Sequence, residues 1–349
     1  MDRRQFVRGS AVGVSAVASG LNLKNLAGTM GAAPDPGPAG AAEEKVGRPV
    51  RVVSIGFGER HPFEEVAALV EGEGARGADL IALPETFRGQ DETSQEPLDG
   101  PTITALSRLA QRHRTYIVCP IDRQEGTRRF NSAVLLDRNG QVAGIYNKLY
   151  PVWQVECVKK PGPGVQPGSA VTVCQTDFGR VGMAICFDVN WNALWEQMAN
   201  QGAELVIWSS AYSAGRSLQA RAIAFNYYVV SATWVPDCQV FDIDGERLVY
   251  DHENRSKGVN VTRVTLDLDR GIFHQDLNVP EKRDKLIKEH GDDIEQEKWL
   301  PMEGWFILKA KRPGVSVRSL ARQYGLEDLR AYLNRSQCEI DKCRGWEFR

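Results

Sequence analysis

The sequence has no long hydrophobic run. Its apolar N-terminal stretch, Ser10 to Leu23, is broken by glycine and serine and is too short for a stable transmembrane helix. Metal-binding spacing is also missing. Neither H-E-x-x-H nor paired C-x-x-C occurs, so no catalytic metal is indicated and no cofactor is expected. Histidine is scarce at five residues, and His61, His113, His252, His274 and His290 fall in expected loops or helices, which gives a Cys-His mechanism little support. Neither charge sign dominates: a net charge of -2 supplies no basic surface for nucleic acid and no acidic tail. Seven cysteines in 349 residues are too few for a disulfide scaffold, and the odd count leaves at least one thiol unpaired or intermolecular. A chain that is 42% hydrophobic and 25% charged can bury a large core, and its length allows one large domain with extras, or two domains.

The N-terminus reads as a targeting segment. Met1-Asp2-Arg3-Arg4-Gln5-Phe6-Val7-Arg8-Gly9 carries paired arginines, the run to Leu23 follows, and Ala32 to Ala42 is a proline-rich spacer of small residues. This order resembles a twin-arginine export signal. Residues 1–45 are therefore expected to be signal and disordered spacer, with the protein periplasmic or extracellular. No cysteine follows the apolar run, so no lipid or membrane anchor is expected.

From Arg51 onward, short apolar runs alternate with helical patterns. Arg51 to Gly56 reads as a strand and Phe63 to Gly72 as a helix. Gly72-Glu73-Gly74-Ala75-Arg76-Gly77 matches G-x-G-x-x-G formally. It ends a helix and leads into a strand, the reverse of a dinucleotide fingerprint, so it reads as a helix stop and loop. Leu80 to Leu83, Thr115 to Ile121, Asn131 to Leu136 and Gly144 to Asn147 read as strands, with Asn139-Gly140 at a hairpin tip. Gly77-Ala78-Asp79-Leu80 is echoed by Gly202-Ala203-Glu204-Leu205, each opening an apolar run. Helices at 193–201 and 218–226, a hairpin at Asp244-Gly245 and a last strand from Val259 to Leu268 complete the pattern. Strands alternating with helices give a mixed sheet layered with helices, and the echo suggests an internally symmetric α/β fold, an α-β-β-α sandwich.

Three reactive side chains each end an apolar run. Pro84 stops one strand and delivers Glu85. Gly144 to Asn147 delivers Lys148, and Val181-Gly182-Met183-Ala184-Ile185 delivers Cys186. A lone cysteine is more often buried and inert, a lone strand-end lysine usually solvated, and a lone glutamate usually a loop carboxylate. Open α/β folds, however, gather their chemistry at strand ends. A glutamate can take the thiol proton, and an ammonium can stabilise both a thiolate and a developing oxyanion.

Leu83-Pro84-Glu85, Tyr146-Asn147-Lys148-Leu149-Tyr150-Pro151 and Ile185-Cys186-Phe187-Asp188, in this order, resemble the nitrilase superfamily of carbon-nitrogen hydrolases. The resemblance runs from about Val52 to Leu268. It implies a four-layer α-β-β-α sandwich over residues 48–270 and a Glu-Lys-Cys triad of Glu85, Lys148 and Cys186. It also implies a supporting Glu156, a backbone N-H of Phe187 facing the developing charge, and a homodimer or larger assembly. The implied reaction is hydrolysis of a small-molecule amide through a Cys thioester, releasing ammonia or an amine. Nitrile hydrolysis, N-acyl transfer by the same triad and a catalytically idle binding domain remain open. Tyr150 stands where many members have histidine, and Asn190-Trp191-Asn192 replaces an arginine-aromatic-proline pattern. Trp153, Trp191 and Tyr212 are candidate pocket walls or core residues. The extension 271–349 is expected to pack on the domain or on a partner subunit. Its charged segment Pro280 to Glu297 carries few apolar residues, Ser316 to Leu333 reads as one or two helices, and Cys338 and Cys343 are close enough in sequence to pair across a short loop.

Overall fold

A computed structural model describes residues 45–91, 93–153, 164–235, 237–251 and 258–345. The expected export signal and Glu156 lie outside the described residues. Two six-stranded sheets form the centre. The first uses β1 (Pro49–Phe57), β2 (Leu80–Ala82), β3 (Tyr116–Glu125), β4 (Arg128–Leu136), β5 (Val142–Asn147) and β12 (Val259–Asp267). The second uses β6 (Val173–Gln175), β7 (Arg180–Ile185), β8 (Leu205–Ser210), β9 (Tyr228–Thr233), β10 (Gln239–Phe241) and β11 (Arg247–Tyr250). Their orders are β12-β1-β2-β3-β4-β5 and β11-β10-β9-β8-β7-β6.

The strands show why two sheets stack. Along β1, Val52 belongs to the cluster between the sheets while Val53 faces the other way, toward α1 (Phe63–Ala75) and α2 (Pro101–His113). β2 and β3 alternate alike, with Leu80 and Val118 turned inward and Ile81 and Ile117 outward. On the far side, α3 (Asn192–Asn200) and α4 (Gly215–Phe225) bury Trp195, Met198, Leu218 and Ala222 against the second sheet. The result is the α-β-β-α sandwich.

The sequence echo marks a real repeat. In the first sheet, β1, β2 and β3 run parallel and then β4 and β5 run antiparallel; β7 to β11 repeat that order in the second. Both echo glycines take φ +80°, at Gly77 and Gly202, a backbone that glycine reaches without strain. A Cβ on Gly77 would meet the Arg51 guanidinium, and one on Gly202 the Arg180 guanidinium. Asp79 accepts the Arg51 N-H and Glu204 the Arg180 N-H, at 2.9 and 3.1 Å.

Several expectations change. Helix α1 does not stop at Gly72 but continues through Gly74 to Ala75. Glycine there is a packing requirement, since a Cβ on Gly74 would lie 2.7 Å from the His113 ring of α2. β12 is not the last strand. A third sheet, β13-β15-β14, is built from β13 (Gly271–His274), β14 (Ile294–Leu300) and β15 (Trp305–Ala310), with its own core around Phe273, Leu286, Phe306 and Val317. The charged stretch from Pro280, for which the sequence offered no element, holds α5 (Val279–His290) and β14; its apolar pattern is sparse because α5 buries only Val279 and Leu286, and β14 only Ile294. Helices α6 (Val317–Gln323) and α7 (Leu329–Cys343) follow. Cys338 and Cys343 are both free and share α7, where a step of five positions gives a rise of about 7.5 Å and turns them apart, beyond disulfide reach.

Charge fixes the extension to the sandwich. Arg270, which pairs with Asp242 at 2.6 Å, also pairs with Glu297 of β14 at 2.6 Å, and the Lys298 ammonium donates to Asp242, Asp244 and Glu246 at 3.0, 2.8 and 2.6 Å. These three carboxylates, close enough to share a metal ion, already hold an ammonium. Among the described residues no helix is long and apolar enough to cross a membrane.

The α1–α2 contact is open to test. Alanine at position 74 gains about 1 kcal/mol of helix preference but crowds the His113 ring, which costs about 1–3 kcal/mol. Gly74→Ala should therefore unfold at lower urea concentration than the parent protein, and an unchanged or higher midpoint would contradict the close approach.

Candidate active site

Glu85, Lys148 and Cys186 come together between the two sheets. Glu85 lies past β2, Lys148 directly after β5 and Cys186 directly after β7. Glu85 and Lys148 are each 1% exposed, and Cys186 is 8% exposed. The Lys148 ammonium donates to Glu85 Oε1 at 2.9 Å. Asn131 Nδ2 donates to the same oxygen at 2.8 Å, and the Ala211 N-H donates to Oε2 at 3.0 Å. The Glu85 carboxylate thus receives three donors, from β4, from the strand-end lysine and from the loop after β8. Ser209 Oγ, at the end of β8, donates to the Leu83 carbonyl at 2.8 Å and ties the glutamate's backbone to the opposite sheet. The Trp234 indole, past β9, donates to the carbonyl of Glu85 itself.

Cys186 opens a short 3-10 helix, Cys186–Asn190, with φ +48°. A left-handed backbone on a non-glycine residue costs about 1 kcal/mol, and here it turns the chain sharply at the strand end. The Trp208 indole holds this turn by donating to the Cys186 carbonyl at 3.0 Å. Burial pushes the Cys186 thiol well above its ordinary value and the Glu85 carboxylate adds to the rise. Lys148, the Ser210 hydroxyl and the Ala211 N-H oppose it. The thiol is therefore protonated at neutral pH, beside a carboxylate that can take its proton and an ammonium that stabilises the anion.

Asp188 sits two residues beyond the cysteine and is fully buried. Its carboxylate accepts the Tyr146 hydroxyl at 2.7 Å, the Ile185 N-H at 2.9 Å and the Tyr150 N-H at 3.0 Å. Burial raises its pKa to about 6, against the opposing pull of Lys148 and these three donors. Every oxygen is engaged by a neighbour, which suits support rather than proton transfer to a substrate.

The other sequence candidates divide. Phe187 lies in the turn with its ring edge-on to Trp191 at 4.8 Å, and Trp191 stacks on Tyr150 at 4.1 Å with ring planes 4° apart. Tyr150, noted in the sequence only as a departure, thus belongs to an aromatic group beside the cysteine turn. Tyr212 packs edge-on against Trp208 at 5.6 Å. Trp153 is 60% exposed and borders residues outside the described set. Sequence reasoning missed Asn131, Tyr146, Trp208, Ala211 and Trp234. Alternation along β5 puts Tyr146 on the same face as Lys148, a signal available in the sequence. Ala211 acts through its backbone and left no signal.

The Asp188 shift has a measurable sign. Its folded pKa, about 6, lies above the ordinary 3.8, so its ionisation opposes folding. The stability it confers when protonated is present below 3.8 and is lost as pH rises through 6, a change of about 3 kcal/mol. Urea titrations at pH 4 and pH 6.5 should show the parent protein losing more stability over that interval than Asp188→Asn. Equal losses in the two proteins would contradict the burial argument.

Known proteins resemble this chain in sequence and in fold. The family model described as carbon-nitrogen hydrolase matches residues 60–270. A deaminated glutathione amidase of Rattus norvegicus is 32% identical over 197 residues, which cover 49% of this chain and 59% of that protein. The match thus spans less than two thirds of the relative's length. Among solved structures, a Saccharomyces cerevisiae member of branch 10 of the nitrilase superfamily aligns with TM-score 0.55 and 19% identity, covering 65% of this chain and 93% of that one. An amidase of Nesterenkonia from the same superfamily aligns with TM-score 0.53 and 19% identity, covering 69% and 98%. Matched over more than half its length by the family model, and folded as those structures are, the chain belongs to the carbon-nitrogen hydrolase family of the nitrilase superfamily.

Proposed function

We propose that this protein hydrolyses a small-molecule amide through an acyl-thioester on Cys186, with Glu85 as the proton carrier and Lys148 as the charge stabiliser. The observation that carries this reading is the buried Glu85–Lys148 pair, 2.9 Å apart, with the Cys186 thiol in the electrostatic field of both.

The chemistry follows from the protonation state. The thiol's raised pKa means that sulfur cannot attack as a standing thiolate, so proton transfer to Glu85 accompanies attack. A C-S bond forms at the amide carbon, and the carbonyl π pair moves onto oxygen. Lys148 and the Phe187 N-H face that oxyanion. Collapse breaks the C-N bond, and the proton on Glu85 passes to the leaving nitrogen, which departs as ammonia or an amine. Water then gives its proton to Glu85 and attacks the thioester. The second collapse releases a carboxylic acid, and the proton on Glu85 returns to sulfur. One carboxylate moves a proton in both halves, which is why it needs a fixed position rather than a flexible one.

The curated relatives named as amidases favour an amide over a nitrile as the starting point. The aromatic group of Tyr150, Trp191 and Phe187 is the natural wall for the part of the substrate next to the scissile bond.

A panel of amides, ureido compounds and nitriles, scored for ammonia or amine release, tests the reading. With the best substrate, Cys186→Ala should abolish turnover and Lys148→Ala should lower kcat by about 100-fold or more. Undiminished amine release from Cys186→Ala would remove the thioester route.

A further inference from the structure

The lysine is itself buried, but the strand that leads to it is not. It follows β5, an edge strand whose residues from Val142 to Ile145 are exposed or half-buried. Its own N-H bonds to the Asn131 carbonyl at 2.8 Å. The fully buried side chain of β5 is Tyr146, and the Tyr146 hydroxyl reaches across to the second sheet, where it donates to Asp188. That hydroxyl also accepts the Leu149 N-H at 3.1 Å. Asp188 accepts the Tyr150 N-H directly and, with its other oxygen, the Ile185 N-H just before the cysteine.

We propose that Asp188 and Tyr146 form a cross-sheet clamp that sets Lys148 against Cys186 and Glu85, with Asp188 as a positioning residue; this rests on the role assigned to Lys148 above. A single carboxylate holds the residue before the cysteine and residues on both sides of the lysine. The competing account is that Asp188 merely stabilises the turn Cys186–Asn190, for which the Ile185 N-H alone would suffice. Two features count against it. The other two donors come from the lysine segment, distant in sequence. A buried carboxylate whose ionisation opposes folding is also a costly way to close one turn, since a buried ion is generally less favourable than a well-packed neutral residue. What the carboxylate offers is enough acceptor positions for all three donors at once.

The clamp can be read without a known substrate. Lys148 pulls the Cys186 thiol pKa down, so displacing the ammonium should raise the pH at which Cys186 becomes reactive. The experiment follows iodoacetamide alkylation of the Cys186 peptide by mass spectrometry across pH, in the full chain and in Lys148→Ala, Tyr146→Phe and Asp188→Asn. Tyr146→Phe keeps the ring and removes the hydroxyl, so it should fold with a small loss of Tm. The alkylation rate at a fixed mildly alkaline pH, where it follows the small thiolate fraction, should fall about threefold or more in all three variants. A rate lowered in Lys148→Ala but unchanged in folded Tyr146→Phe and Asp188→Asn overturns the clamp while leaving the lysine's role intact. A rate unchanged in Lys148→Ala overturns the role of the lysine, and the clamp with it.

Discussion

The buried ion pair between Glu85 and Lys148 is the constraint on which the rest of the site depends. Two charges taken out of water lose several kcal/mol each in hydration, and their attraction restores this only when geometry is good and the remaining donors and acceptors are satisfied. The fold meets that condition from several directions. Asn131 and the Ala211 N-H complete the carboxylate, and Ser209 and Trp234 hold its backbone. Most of these partners belong to other strands than the glutamate's own, and three of them come from the opposite sheet. The stacking of the two sheets is therefore also what assembles the site.

The same dependence explains the strand-end placement. β2 and β7 are buried and paired with a strand on each side, so their C-terminal ends are rigid points from which Glu85 and Cys186 project. β5 is an edge strand with little apolar burial, and the lysine it carries needs extra fixing. The hydroxyl of Tyr146 and the carboxylate of Asp188 supply it across the gap between sheets. The left-handed backbone of Cys186 belongs to the same economy of position: a small local strain turns the thiol toward the glutamate and the lysine.

Much of this was legible in the sequence, and the limits were physical. Glu85, Lys148 and Cys186 stood out because each ends an apolar run, and a strand end is a specific place. The sandwich was legible because the Gly-Ala-acid-Leu echo reflects a repeated turn in which only glycine fits beside an arginine. Asn131, Ala211 and Trp234 were not legible as site residues, since they act on Glu85 from distant strands or through a backbone N-H. The third sheet was hidden for a different reason. Its helix α5 and strand β14 bury so few side chains that their periodicity is nearly all charge, and their fixing relies on ion pairs such as Lys298 with Asp242, Asp244 and Glu246. The glycines of α1 misled because a helix stop and a close helix-helix approach call for the same residue.

The central claim is that Cys186 carries the acyl group of the substrate during turnover. It is tested most directly by quenching the protein in acid while it turns over a saturating amide, then mapping its peptides by mass spectrometry. The account predicts the mass of the acyl group on the peptide containing Cys186, and on no other cysteine. Turnover with that peptide unmodified, or with the acyl group on Cys119, Cys174 or Cys238, would contradict it.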